Sequence, residues 1–211
     1  MVGVLTLFVV ALGGVIYRAA GADTSDAVTV EQDDRPADAQ LSQRLAIAYG
    51  ALRDAAGTRR LPEVHRYAAV AIDAIAGPAG RHGRDTAPAG GILPEDATQI
   101  GTTPGLALRA YDAAPSQSPL RAAIDQRVIG GVAGWRTPAE QYDAIDRAVA
   151  AYGPENDTIS DLPGESTRAL AWALLTLRTD DVNTAHDIAG RGADAAREAL
   201  DAVRIARAAE R

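Results

Sequence analysis

The sequence predicts an all-α protein, an up-and-down bundle of about four main helices with one or two short ones, preceded by one transmembrane helix. Three observations support this prediction. Only 4% of the 211 residues are aromatic, so a core must consist mainly of Ala, Leu, Val and Ile, which suits closely packed helices. After residue 40, apolar residues recur at spacings of three and four. Before it, residues 2–17 are uncharged and mostly apolar.

Residues 1–20 are predicted to be a transmembrane anchor or an uncleaved signal, because a spanning helix needs roughly 20 apolar residues. The residues assigned to the anchor are Leu5, Leu7, Phe8, Tyr17 and Arg18. The last two fit an interfacial ring and a cation that reaches the lipid headgroups. Cleavage after the small residues 20–22 is the alternative, although the usual basic segment before the apolar run is missing.

The side of the membrane is less clearly indicated than the anchor. Arg18 follows the apolar run, and the positive-inside rule would place the following domain in the cytoplasm. A short N-terminal anchor before a large domain more commonly has that domain outside. We therefore expect a single-pass membrane protein with an extracytoplasmic domain.

Charge and cysteine content exclude several functions. The net charge is -7, so neither a nucleic acid nor an anionic membrane surface is an expected partner of the domain. The absence of cysteine removes disulfides, thiolate metal sites and cysteine nucleophiles together.

Residues 21–40 are acidic and polar, which predicts a flexible linker, and residues 41–211 are predicted to form the bundle domain. The first helix has an apolar stripe and a predicted left-handed stop at Gly57. The stripe comprises Leu41, Leu45, Ala48, Leu52 and Ala55. The second helix begins near Pro62 and ends at Gly77 and Pro78.

A long loop rich in Gly and Pro follows at residues 79–102, and such a loop inside a compact domain is functional or a disordered insertion. A short helix is predicted after it, from about residue 103 to 113. The candidate contacts with a partner are His82, Ile92 and Leu93 of this loop, together with Trp135. For Trp135, as for Trp172, burial in the core is the favoured alternative.

A helix is predicted to start at Ser118 and Pro119 and to reach Trp135. Its second half contains Gly130, Gly131 and Gly134, which predict either a bend or the close approach of a neighbouring element. Residues 137–140 form a capping box that begins the next helix. The segment 166–178 is apolar on almost all sides, so we expect it at the centre of the bundle. Residues 180–209 predict a long amphipathic helix.

His65 and His186 lie beside the apolar stripes of the second and last helices. Histidines on facing helices can bind a haem, another tetrapyrrole or a metal, and no motif identifies which cofactor this would be. The simpler interpretation is that both are partly exposed edge residues, because neither belongs to a paired ligand motif.

Evidence for catalysis is weak, so an enzyme is the less favoured class. The acidic loop contains Glu155, Asp157, Asp161 and Glu165, which predict helix capping and, alternatively, a hydrolase or a cation site. Taken together, the sequence favours a non-catalytic accessory or scaffold subunit that binds other subunits of a membrane assembly. The cofactor-binding bundle is the first alternative and the hydrolase the second.

Overall fold

Seven α-helices and no strand are present in the residues that the computed structural model describes, which are 35–77, 80–83, 90–94, 104–134 and 138–211. The helices are α1 (Ala37–Gly57), α2 (Leu61–Ala76), α3 (Leu106–Ala113), α4 (Pro119–Ala123), α5 (Pro138–Ala151), α6 (Glu165–Arg178) and α7 (Val182–Ala209). The all-helical prediction is confirmed for this part of the chain. Five of these helices, rather than about four, have 14 or more residues.

Four helices form a closed ring in the order α1, α2, α6 and α7, in which each helix packs against its two neighbours. Residues 58–60 join α1 to α2, and residues 179–181 join α6 to α7. Such short connections make sequential helices antiparallel neighbours. Residues 77–164 form the crossover that leads from α2 to α6 and contains α3, α4 and α5.

Two side-chain contacts fix the directions of the other neighbours in the ring. Asp38 at the start of α1 pairs with Arg207 at the end of α7, at 2.9 Å. His65 near the start of α2 bonds the Thr179 carbonyl just after α6, at 3.0 Å. Each neighbouring pair in the ring is therefore antiparallel, as an up-and-down bundle requires.

Most of the side chains of α6 are buried, which confirms its predicted central position.

Small residues let the ring helices approach closely. A Cβ added to Gly192 of α7 would lie 3.0 Å from the Trp172 Cβ and 3.3 Å from Leu52 of α1. Because interiors are close-packed, such a position tolerates no larger residue without displacement of its neighbours.

The crossover packs against the outside of this ring. Helix α3 contacts α1, α5 contacts α6, and α4 contacts α7. Helix α4 continues into a π-helical turn, Ile124–Ile129, which ends at Gly130 in the left-handed conformation with φ 82°. There the Gly130 and Gly164 backbones meet, because a Cβ on Gly164 would lie 2.3 Å from the Ile129 carbonyl carbon.

Four predicted helix boundaries differ from the structure. Helix α3 begins at Leu106 rather than near residue 103, because Gly105 is its N-cap. The helix that starts at Pro119 ends at Ile129, because Gly130 turns the chain and Asp125 Oδ1 accepts a hydrogen bond from Val132 N at 2.6 Å. Helix α1 begins at Ala37, so the last residues of the predicted linker 21–40 are helical. Gly57 ends α1 without a left-handed stop, since the next residue, Thr58, is extended.

Among the described helices, none is both long enough and apolar enough to cross a bilayer. The predicted anchor, residues 1–20, lies outside the described residues.

Candidate functional site

Several of the predicted functional residues lie outside the described part of the chain. These are the anchor residues Leu5, Leu7, Phe8, Tyr17 and Arg18, together with Trp135. Their roles in membrane attachment and partner contact stay predictions.

His65 and His186 both lie near the end of the ring where α2 and α7 begin. A carbonyl oxygen can only accept a hydrogen bond, so the bond to Thr179 places the proton of His65 on Nε2 and removes that atom as a ligand. His186 differs, because its Nε2 is buried and has no hydrogen-bond partner. Within the described ranges, no three His, Asp or Glu side chains are grouped to hold a metal ion.

Ile92 and Leu93 are core residues of this chain, with 0% and 1% of their surfaces exposed. Their backbone joins two helices. Leu93 N donates to the Ile75 carbonyl at the end of α2 at 2.9 Å, and Ala107 N at the start of α3 donates to the Ile92 carbonyl at 3.0 Å. In this conformation the two side chains are therefore unavailable to a partner, because they fill the chain's own interior.

This attachment requires glycine where backbones touch. A Cβ on Gly91 would lie 2.3 Å from Gly77 N, and one on Gly105 would lie 2.3 Å from the Leu93 carbonyl carbon. Part of the Gly- and Pro-rich loop is thus an ordered segment of the core, and its glycines are explained by packing.

His82 contributes to a cluster that joins the turn at residues 80–83 to α5. Its Nε2 lies 3.1 Å from Asp146 Oδ1, and its ring is 5.8 Å from the Tyr142 ring between centroids. Arg81 pairs with Asp143 at 2.5 Å and with Asp146 at 3.4 Å. We call these five residues the His82 cluster.

The His82 cluster is only partly accessible to solvent. The His82 side chain is 16% exposed and Tyr142 is fully buried. Burial lowers the pKa of His82 below its ordinary value because a charged imidazole loses solvation there. Asp146 opposes this lowering, whereas Arg81 and Arg178 of α6 add to it.

A second feature is an open cleft of about 320 Å³ on the surface of α6 and α7, which we call the α6–α7 cleft. Its lining residues are Ser160, Glu165, Arg168, Trp172, Arg191, Asp194, Ala195 and Glu198. The Arg191 guanidinium lies over the Trp172 ring, 5.3 Å from its centroid, and also pairs with Asp157 at 3.1 Å. The cleft therefore combines a deep aromatic ring with charges of both signs at its opening.

Glu165 is the least exposed carboxylate of this cleft, with 9% of its side chain exposed. Arg168 contacts it at 3.1 Å, and Arg127 lies 3.9 Å away while also bonding Glu198 at 3.0 Å. Burial raises the pKa of Glu165, and the nearby Glu198 adds to this effect, whereas the two arginines oppose it.

The other acids of the predicted acidic loop have local structural contacts or face solvent. Asp157 Oδ1 accepts from Ser160 N at 3.1 Å, and its other oxygen accepts from the Ser160 hydroxyl at 2.8 Å. Glu155 and Asp161 are exposed. The predicted helix capping by this loop is wrong, because Gly164 is the N-cap of α6 and no side chain caps it, although Glu165 does lie in the first turn of the helix.

Sequence reasoning missed most members of the two sites. Arg81 and Asp146 lie far apart in the sequence, with α3 and α4 between them, so no local spacing links them. In α7, Arg191, Asp194 and Glu198 do recur at helical spacing, and this pattern predicts a charged face but not the Trp172 ring beneath it.

No family model, no curated protein and no solved structure matches this chain.

Proposed function

We propose that this chain is a non-catalytic accessory or scaffold subunit of a larger membrane assembly. In this proposal the ring of α1, α2, α6 and α7 is the binding domain, and the α6–α7 cleft is the face that receives a partner. Membrane attachment through residues 2–17 belongs to the same proposal, and the apolar N-terminal sequence supports it. An extracytoplasmic position of the domain is also part of the proposal, because it is the more common arrangement for a short N-terminal anchor before a large domain.

The observation that carries the proposal is the composition of the α6–α7 cleft. Arg191 and Glu198 are each about half exposed at its opening, with side-chain exposures of 53% and 51%. They belong to one helix whose other face is buried in the ring, so their backbone is rigidly held. Half-exposed charges of both signs around an open cleft resemble the polar rim of protein interfaces.

The chemistry of the cleft indicates the kind of partner. Guanidinium and carboxylate groups alternate around it, and the existing ion pairs can be exchanged for pairs with another chain. A polar segment that carries both charges would fit this surface, whereas an apolar helix would desolvate these ion pairs and supply no new polar contacts.

The experiment is isolation of the tagged full-length chain from its source membranes in mild detergent. We expect a particle much larger than the 21.9 kDa chain, with partner subunits present in a fixed ratio. Recovery of the chain alone, at all detergent conditions that preserve other membrane complexes, would contradict the proposal. Detergent micelles without protein provide the mass reference.

A cofactor-binding bundle is the second candidate, and the buried, unpartnered Nε2 of His186 favours it. The same isolated sample tests this candidate through its visible absorption spectrum and metal content. A coloured or metal-loaded protein that loses its cofactor in the variant His186→Ala, but not in the control variant His65→Ala, would support it. A colourless, metal-free sample would exclude it.

A further inference from the structure

We propose that Arg127 of the π-helical turn is a positioning residue of the α6–α7 cleft, and that the cleft binds its partner tightly only while this turn is docked against α7. The inference rests on the proposed function, because it concerns how the same cleft is controlled. It goes beyond that function by assigning the control to the crossover, which lies outside the two helices that line most of the cleft.

The crossover contributes both a lining residue and ion pairs to the cleft. Ser160, in the segment between α5 and α6, is one of the lining residues. Asp157 of the same segment pairs with Arg191 of α7 at 3.1 Å. Arg127 pairs with Glu198 of α7 at 3.0 Å. Both half-exposed charges of α7 that we assign to partner binding are therefore held by residues of the crossover.

Arg127 contacts two carboxylates of the cleft through one nitrogen atom. Its Nη2 lies 3.0 Å from Glu198 Oε2 and 3.9 Å from Glu165 Oε1. Burial raises the pKa of Glu165 and Glu198 raises it further, whereas Arg168 and Arg127 oppose this effect. Without the Arg127 guanidinium, the two carboxylates would repel each other with less compensation. Arg127 therefore holds the two acids together on one side of the cleft.

The backbone of the π-helical turn determines where Arg127 lies. The Asp125 carbonyl accepts hydrogen bonds from Gly130 N at 2.9 Å and from Gly131 N at 2.7 Å, which closes the end of the turn. A Cβ on Gly130 would lie 2.3 Å from Gly164 N, so the turn rests directly on the backbone before α6. Turns of this wide type are frequent at functional sites. Here the turn carries a cation of the crossover to the cleft.

Docking of the turn and binding of a partner are consequently coupled. About half of the Arg127 side chain is exposed, so its ion pairs can break without unfolding of the core. A docked turn fixes the position of Glu198, whereas a detached turn leaves this carboxylate free to rotate. Because coupling between two equilibria is reciprocal, a partner that prefers the docked turn also strengthens its docking.

The first test compares the partner subunits recovered with variants of the tagged full-length chain. Arg127→Gln removes the charge, and we expect the ratio of partner subunits to chain to fall about tenfold. Arg127→Lys should keep most of the wild-type ratio, because a single Nη2 makes both contacts and an ammonium group can replace it. Gln126→Ala changes an exposed neighbour in the same turn and is the control that should keep the wild-type ratio.

The second test is an NMR titration of the Glu165 carboxyl group in the full-length chain in detergent, which a merely structural role of Arg127 would not change. In Arg127→Gln we expect the pKa of Glu165 to rise above its wild-type value, because one of the cations that oppose the effect of burial is gone. Arg127→Lys should restore the wild-type titration. An unchanged titration in Arg127→Gln would overturn the inference.

The partner ratios separate this inference from the proposed function. A wild-type ratio for Arg127→Gln would overturn the inference and leave the proposed function standing. Recovery of the wild-type chain without any partner would contradict the proposed function and the inference with it.

Hydrogen exchange of the wild-type chain keeps the inference testable if Arg127→Gln does not fold. By reciprocity, the amides of Gly130 and Gly131 should be about tenfold better protected in the isolated assembly than in the chain freed of its partners. Equal protection of these amides in the two samples would overturn the inference.

Discussion

The ring helices and the crossover are held by different kinds of contact. In the ring, periodic apolar side chains such as Leu45, Ile72 and Leu170 are fully or almost fully buried along the helices. The crossover also buries apolar side chains of its helices, such as Ile124 and Ile145, and it has additional attachments through touching glycine backbones, through Ile92 and Leu93, and through the His82 cluster. The difference shows that periodic apolar stripes hold the ring, whereas the crossover adds contacts that do not repeat along the sequence.

The largest effect is expected where the crossover returns to the ring, at Gly164. The variant Gly164→Ala places a Cβ 2.3 Å from the Ile129 carbonyl carbon at a residue with φ 77°. We expect a loss of about 4 kcal/mol in the free energy of unfolding, because overpacking adds to the cost of a positive φ. Urea unfolding followed by circular dichroism measures it.

The control for this variant is Gly190→Ala in α7, where an added Cβ meets nothing within 4 Å. Because Ala is favoured over Gly inside a helix, this variant should gain about 0.5–1 kcal/mol. Equal effects of the two variants would show that the Gly130 and Gly164 backbones do not touch in solution.

The next largest loss of stability is expected when a buried side chain is truncated, either in the crossover or in the ring. Ile92→Ala and Leu170→Ala each remove a fully buried apolar side chain. We expect each to cost about 3 kcal/mol in urea unfolding, because both leave a cavity in the same core. If Ile92→Ala cost less than about 1 kcal/mol while Leu170→Ala kept its full effect, segment 90–94 would not belong to the core.

A smaller effect is expected at the start of α4, the shortest helix of the crossover. The Ser118 hydroxyl accepts from Arg121 N at 3.1 Å and caps this helix. Ser118→Ala should therefore cost about 1 kcal/mol in the same unfolding measurement. The exposed residue Ser116 supplies the control, and Ser116→Ala should leave stability unchanged. Equal losses for both variants would argue against the cap.

Sequence periodicity predicted the ring well. The stripe Leu41, Leu45, Ala48, Leu52 and Ala55 is buried along α1, and Gly77 ends α2 with φ 78° as expected. The all-round apolar segment 166–178 is the buried helix α6. These predictions succeeded because the residues that fix a ring helix are neighbours in the sequence and repeat every three or four positions.

The candidate sites and the crossover were predicted less well for a physical reason. The glycines of the loop 79–102 indicated a break in helical structure, but not that Gly91 touches Gly77. Ile92 and Leu93 are predicted partner contacts because they lie in this long loop, whereas in the structure both are buried in the core. Likewise, His82 and Asp146 meet only through the fold, so spacing could not link them.

The central claim is that the α6–α7 cleft receives a partner subunit, and a matched pair of charge reversals tests it most directly. Arg191→Glu reverses a charge in the cleft, and Arg204→Glu reverses an exposed charge further along the same helix, outside the cleft lining. The measured quantity is the ratio of partner subunits to tagged chain after isolation from source membranes. We predict about a tenfold fall for Arg191→Glu and a wild-type ratio for Arg204→Glu. An unchanged ratio for the folded Arg191→Glu variant would contradict the claim.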